Sequence, residues 1–201
     1  MSWETLSPLE AVAVFFGIVS VLFSIRKHIA VFPTGIISTF IYLFICWEYK
    51  LYADMGINGY YTLMSVYGWW LWAQPKGPLP ERPVSWMLPQ ERWISVGLFV
   101  LSYGSLYAVL AQFTDSDVPY WDSFTTSSAF VAMWLMAKKK VENWIFWIIT
   151  DLVSVPLYLY KGLPLTAFQF AFFTVLAVIG LRSWYLTVKR RPQPNFRESH
   201  V

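Results

Sequence analysis

The sequence predicts an all-α polytopic membrane protein with seven transmembrane helices, an expectation carried by three observations. Hydrophobic residues make up 57% of the 201-residue chain and charged residues only 13%, with a mean hydropathy of +0.47, whereas about a quarter of the residues in soluble domains are charged. Apolar runs of spanning length, roughly 20 residues each, follow one another along nearly the whole chain. The basic residues stand at the ends of those runs and not in one patch, so the formal charge of +3 reads as topology and gives no support to a nucleic-acid partner. Seven spans leave no room for a soluble catalytic domain.

The elements follow in order. The first run, about 7–25, carries Glu4 and Glu10 with no basic region and no small-residue cleavage site, so it is expected to remain as a span. The second, about 29–49, opens on Pro33-Thr34-Gly35, which resembles a break in the first turn, followed by Ser38 and Thr39; it also holds Cys46, the single cysteine, which excludes an intramolecular disulfide. The third, about 52–74, ends on Trp69, Trp70 and Trp72, read as interfacial anchors. Residues 75–92 begin Pro-Lys-Gly-Pro-Leu-Pro-Glu-Arg-Pro, which cannot continue a helix and reads as a linker. The fourth run, about 93–113, has few internal polar residues and looks like a connector. The fifth, about 121–137, opens on Asp122 with Thr125 and Thr126, for which an N-cap and first-turn arrangement is the preferred reading. The sixth and seventh cover about 143–160 and 164–186, and a polar, basic tail fills 187–201. The expected organisation is a single membrane domain over 1–186, with a first triple-helix bundle at 7–74 and a second at 121–186.

Charge partition tests the count of seven, because successive connections alternate sides. Arg26, Lys27, Lys76, Arg82, Arg92, Lys138, Lys139, Lys140, Arg182, Lys189, Arg190, Arg191 and Arg197 fall on one side, 13 of the 15 Lys and Arg. Only Lys50 and Lys161 fall opposite. The N-terminus is therefore expected outside and the C-terminus in the cytoplasm.

A weak, ordered repeat appears when the chain is shifted by 111 residues: Tyr49-Lys50 falls on Tyr160-Lys161, Thr39 on Thr150, Asn58 on Gln169, and Gly68 one residue from Gly180. Two triplets of helices pointing the same way need one helix between them, and the fourth run supplies it. This is the 3+1+3 parallel repeat, resembling SWEET-type transporters, with a site between the repeats. Chance similarity between two apolar triplets is the competing reading.

Asp151 lies about 12 Å along the sixth helix from Asn143 at 1.5 Å per residue, where a carboxylate is costly and most often functional. Trp147, Asp151, Ser154 and Tyr158 are spaced i, i+4, i+7 and i+11, on one stripe. Asn58, Tyr61 and Ser65 form a similar stripe on the third helix, Gln169 falls at the equivalent depth on the seventh, and Ser38 with Thr39 are placed to reach the same space. Interhelical hydrogen bonding alone is the competing reading for Asn58 and Gln169. One carboxylate among amides, hydroxyls and aromatic faces suits a planar, polar, cationic ring. Pro156 is a candidate bend or hinge, and Pro33 and Asp122 are further candidate gating or structural positions. No His pair, metal-ligand cluster, nucleophile motif or phosphate loop accompanies Asp151. No cofactor or metal is implied, so a carrier is favoured over a membrane enzyme, and a non-transporting receptor or scaffold is a third class.

Tyr67-Gly68-Trp69-Trp70-Leu71-Trp72, Tyr120-Trp121-Asp122-Ser123, Val141-Glu142-Asn143-Trp144 and the spacing of Trp147, Asp151 and Tyr158 together resemble the PnuC-type nicotinamide riboside (vitamin) transporter family, from the first helix to Trp184. The resemblance implies a 3+1+3 fold and homotrimers in the bacterial inner membrane. It also implies facilitated diffusion of nicotinamide riboside, an NAD precursor, trapped afterwards by a cytoplasmic vitamin kinase. Members associated with nicotinamide riboside often carry Asn where Asp151 stands, and thiamine-moving relatives share the fold. Both vitamins present a fixed positive charge on an aromatic ring, so thiamine is the alternative solute.

Overall fold

The computed structural model describes residues 8–75, 82–114 and 116–190; Lys76, Arg191, Arg197, His200 and most of the 187–201 tail lie outside them. The described residues form seven helices: α1 (Pro8–Ile25), α2 (Val31–Glu48), α3 (Tyr52–Ala73), α4 (Pro89–Phe113), α5 (Pro119–Ala137), α6 (Asn143–Tyr160) and α7 (Pro164–Lys189). Several open on proline, whose missing N–H would have no helical partner in the first turn. That places the start of α4 at Pro89 and not residue 93, and the start of α5 at Pro119 and not 121. The α4 start is closed by the Glu91 carboxylate, which accepts the Leu88 N–H at 2.8 Å. Five helices, α1, α2, α4, α6 and most of α7, are long and apolar enough to cross a membrane. The two others, α3 and α5, carry more polar side chains, and on α5 Ser123, Ser127 and Ser128 are buried inside the bundle.

Neighbouring helices pack as α1–α2–α3 and as α5–α6–α7; α4 packs on α5 alone among the described helices, and the groups join along α3–α5 and α1–α7. The tight turns in the two groups share one geometry. Lys27 and Lys139, 112 residues apart, both take positive φ, 61° and 59°, and so do Lys50 and Gly162, at 58° and 72°. Lys27 N–H donates to Ser24 and His28 N–H to Phe23, at 2.9 and 3.0 Å; Lys139 and Lys140 repeat this to Met136 and Leu135 at 2.9 and 3.0 Å. Such bonds satisfy the last carbonyls of the preceding helix. The spacing is one residue longer than the 111 of the sequence comparison.

An aromatic layer closes the bundle at the end carrying these lysines. Phe32 meets Trp72 edge-on, ring centroids 4.9 Å apart, and Trp144 meets Trp184 in the same way at 5.7 Å. Trp72 is 2% exposed and donates its indole N–H to the Ala137 carbonyl at 3.1 Å, so it belongs to the core and is no interfacial anchor. Trp69 and Trp70 are exposed as expected.

The described part of the Pro-rich segment, 82–88, is a strap bound to the α5–α6 turn. Ser85 N–H donates to Lys139 O at 3.2 Å, Val141 N–H to Ser85 O at 3.0 Å, and Met87 N–H to the Glu142 carboxylate at 2.9 Å. Lys140 Nζ reaches Ser85 Oγ, the Trp86 carbonyl and the Glu91 carboxylate at 3.1, 3.2 and 2.8 Å. Lys139 and Lys140, read from sequence as a basic flank, are each only 4% exposed, because the strap covers one ammonium and the other lies 4.1 Å from the centroid of the Trp72 ring.

Candidate functional site

A cavity of about 380 Å³ lies between α1, α2, α3, α6 and α7, with Met133 and Met136 of α5 closing one wall. That volume suits a small solute. On α6 the four-residue spacing brings Trp147 and Asp151 to the wall. Asp151 is 4% exposed and is the one charged residue of the lining. Among the described residues its carboxylate has no hydrogen-bond or ion-pair partner. Across from it, Tyr61 of α3 lines the cavity with its ring 6.4 Å from Trp147. Neighbouring Tyr60 fixes that part of α3 by donating its hydroxyl to the Phe130 carbonyl of α5 at 2.9 Å.

The other expected residues divide. Thr39, Asn58 and Gln169 line the cavity, as do Ser38 and Ser65. Thr39 and Thr62 share a hydroxyl hydrogen bond of 2.7 Å, and Asn58 donates its amide to the Asp54 carbonyl at 2.9 Å, leaving the Asn58 side-chain oxygen unspent. Ser154 is buried but does not line the cavity. Tyr158 stacks on Phe170 at 5.1 Å and is likewise absent from the lining. Of the α6 stripe, Trp147 and Asp151 line the cavity, while Ser154 and Tyr158, on the same helical face but farther along it, do not.

Three further positions sit elsewhere. Pro33 is the third residue of α2, where a missing N–H costs nothing; Thr34 N–H donates to Ala30 O at 3.2 Å, so the expected break is absent. Pro156 lines an apolar outer groove with Trp121, Leu152 and Tyr160, away from the cavity. Asp122 is not an N-cap, because the earlier start of α5 makes Val118 the cap residue. Its carboxylate instead pairs with Lys161 at 2.5 Å and accepts the Ser116 hydroxyl at 2.9 Å.

The wall supplied by α1 escaped the sequence reading. Ala13, Gly17, Ser20 and Ser24 face the cavity at intervals of four, three and four, and this small-residue stripe was its only signal. Trp144, the last residue of the Val141-Glu142-Asn143-Trp144 motif, also lines the cavity, one turn from Trp147. Among the described residues no group of three His, Cys, Asp or Glu could hold a metal ion. The cavity offers aromatic faces, one carboxylate, amides and hydroxyls, a set that orients a planar polar solute.

A bundle of lipid-length helices around a largely apolar internal cavity with a few polar groups is the architecture of a membrane transporter. The chain belongs to the nicotinamide mononucleotide transporter family, which it matches over residues 7–186. It is 25% identical over 211 residues to the nicotinamide riboside transporter PnuC of Escherichia coli, covering 92% of this chain and 88% of that protein. It is 24% identical over 190 residues to the riboflavin/roseoflavin transporter RibM of Streptomyces davaonensis, with the same coverage. The crystal structure of the vitamin B3 transporter PnuC shares the fold, with a TM-score of 0.73 and 23% identity over 94% of this chain and 86% of that one.

Proposed function

We propose that this chain is a facilitative importer of nicotinamide riboside across the bacterial inner membrane. All seven helices span, the N-terminus lies outside, and the two triplets are parallel copies joined by α4. The observation that carries the solute is Asp151, among the described residues the one charged group of the cavity, without a protein partner and close to the Trp147 and Tyr61 rings. A buried carboxylate with no protein partner calls for a cation from the solute, and flanking rings favour a flat one. The parallel triplets are supported by the positive-φ turns recurring 112 residues apart, the orientation by the basic residues gathered at one end. The same carboxylate also favours thiamine, whose ring is equally cationic, as the second reading. Riboflavin, carried by one relative according to its name, is neutral and makes no use of this charge.

Uptake of labelled nicotinamide riboside, thiamine and riboflavin into proteoliposomes tests the proposal. Nicotinamide riboside should enter faster than into empty liposomes and continue after the pH gradient is collapsed. Entry of thiamine alone would move the assignment to the second reading, and binding without entry would make the protein a receptor. Enclosing a riboside kinase with ATP should raise accumulation above equilibrium, the expected trapping step. The oligomer is expected to be a homotrimer, which light scattering of the purified protein measures.

A further inference from the structure

The two helix triplets meet along two seams that are bonded differently. Along α3–α5, Tyr60 holds the Phe130 carbonyl at 2.9 Å, and Trp72 holds the Ala137 carbonyl at 3.1 Å. These residues stand 12 apart on α3, about 18 Å at 1.5 Å per residue. The α1–α7 bonds seen among the described residues gather at one end. Trp184 donates its indole N–H to Ser24 O at 2.9 Å and Ser183 its hydroxyl to Ile25 O at 3.0 Å. In the adjoining turn, Lys27 Nζ donates to Ser183 Oγ at 2.9 Å and Thr187 Oγ1 at 3.1 Å. Beyond that end Gly17 and Ser20 of α1, and Phe173 and Ala177 of α7, all face the cavity. A seam bonded at two depths can flex without parting, whereas one bonded at a single end parts when that set breaks.

The equivalent turns differ in the same sense. The α5–α6 turn lies under the strap, with Val141 fully buried, and is tied to α4 through Lys140–Glu91, while the strap reaches α7 through Trp86, whose ring meets Tyr185 at 6.0 Å. Val84 of the strap joins the aromatic floor cluster. Among the described residues no strap covers the α1–α2 turn, where Arg26, His28 and Ile29 are exposed. Among the described residues the Lys27 ammonium is held by neutral hydroxyls and no carboxylate, and such bonds yield to water more readily than a charge pair.

We propose that the α1–α7 seam is the door at the basic end of the cavity, latched by Lys27, Ser183 and Trp184, and that α3–α5 is its hinge. The strap holds α4, the α5–α6 turn and the end of α7 as the fixed frame, so the α1–α2 turn is the part that moves. This rests on the reading of the protein as a carrier.

The test uses two cysteine pairs, each with one member on α7 and each in a Cys46→Ala background of the full chain. Oxidising Ile25→Cys/Ser183→Cys ties the door shut and should cut nicotinamide riboside uptake by about tenfold or more, with recovery on reduction. Bridging Trp86→Cys/Tyr185→Cys with a short bismaleimide, because residues that meet only through their large rings stand too far apart for a disulfide, ties strap to frame and should leave uptake within about twofold of its unbridged value. Arrest by the second pair, or uptake undiminished by the first, overturns the assignment. If the first pair fails to reach the membrane, Lys27→Cys/Thr187→Cys bridged by a short bismaleimide takes its place under the same criteria. A solute-free readout separates this from the choice of solute: a Ser65→Cys probe in the cavity should lose labelling by an impermeant maleimide at the basic face only when the door pair is closed. No uptake of nicotinamide riboside by the reduced protein, with labelling still controlled by the door pair, would sink the solute and keep the door. Labelling that ignores the door pair sinks the door.

Discussion

Gly180 lies so close beneath Trp144 that a Cβ there would stand 2.6 Å from three ring carbons, and Gly68 stands in the same relation to the Phe32 ring. Each glycine lets a floor ring of one helix seat against the backbone of the next. Gly180→Ala should force Trp144 toward the cavity and destabilise by about 1–3 kcal/mol, the usual cost of overpacking. Gly97→Ala on α4, where an added Cβ meets nothing within 4 Å, should not destabilise. Thermal unfolding of the two variants in detergent compares them directly, and equal melting temperatures would contradict this account of the floor.

Asp151→Ala should weaken binding of nicotinamide riboside about 10- to 100-fold, the worth of a hydrogen bond or contact to a charged group, roughly 1.5–3 kcal/mol. Asp122→Ala should weaken it less, because that carboxylate already has Lys161 and Ser116 as partners. Titration calorimetry on the purified protein reads both, and comparable losses would argue against Asp151 as the central charge.

Lys140→Met leaves the buried Glu91 without its nearest cation, 2.8 Å away, and should cost about 3–5 kcal/mol. Glu91→Gln added to it should restore most of that loss, since the amide oxygen can still accept the Leu88 N–H. The melting temperatures of the single and double variants test this; no recovery in the double would mean the strap is held by something other than this pair.

Lys161→Gln should change stability by no more than about 1 kcal/mol, because the Lys161 and Asp122 side chains are 29% and 21% exposed and solvent screens such pairs. The difference from the parent should shrink further in 1 M salt, where the Debye length is about 3 Å. Unfolding at low and high salt provides the measurement.

Hydropathy and the placement of basic residues announced seven helices, because the periodicity and length of a span are local properties that lipid enforces on each segment separately. Asp151 was legible for a similar reason: a carboxylate at that depth is conspicuous whatever surrounds it. Its companions were less so. Trp147 and Asp151 share the cavity wall while Ser154 and Tyr158 lie outside its lining, since helical spacing tells which residues share a face but not how far along that face the neighbouring helix departs.

Tertiary packing alone decided that small residues of α1 form the opposite wall, that Trp72 and Trp184 close a floor, and that the proline-rich segment carries a strap over Lys140. Each depends on contacts between residues distant in the chain, such as Trp184 with Ser24 and Ser85 with Lys140. The sequence by itself determined that the chain lives in lipid, how many helices it makes and where its one costly charge lies. Which helices stand open around that charge, and which are tied together, was decided by the packing of the two triplets, because no local pattern encodes the distance between two helices.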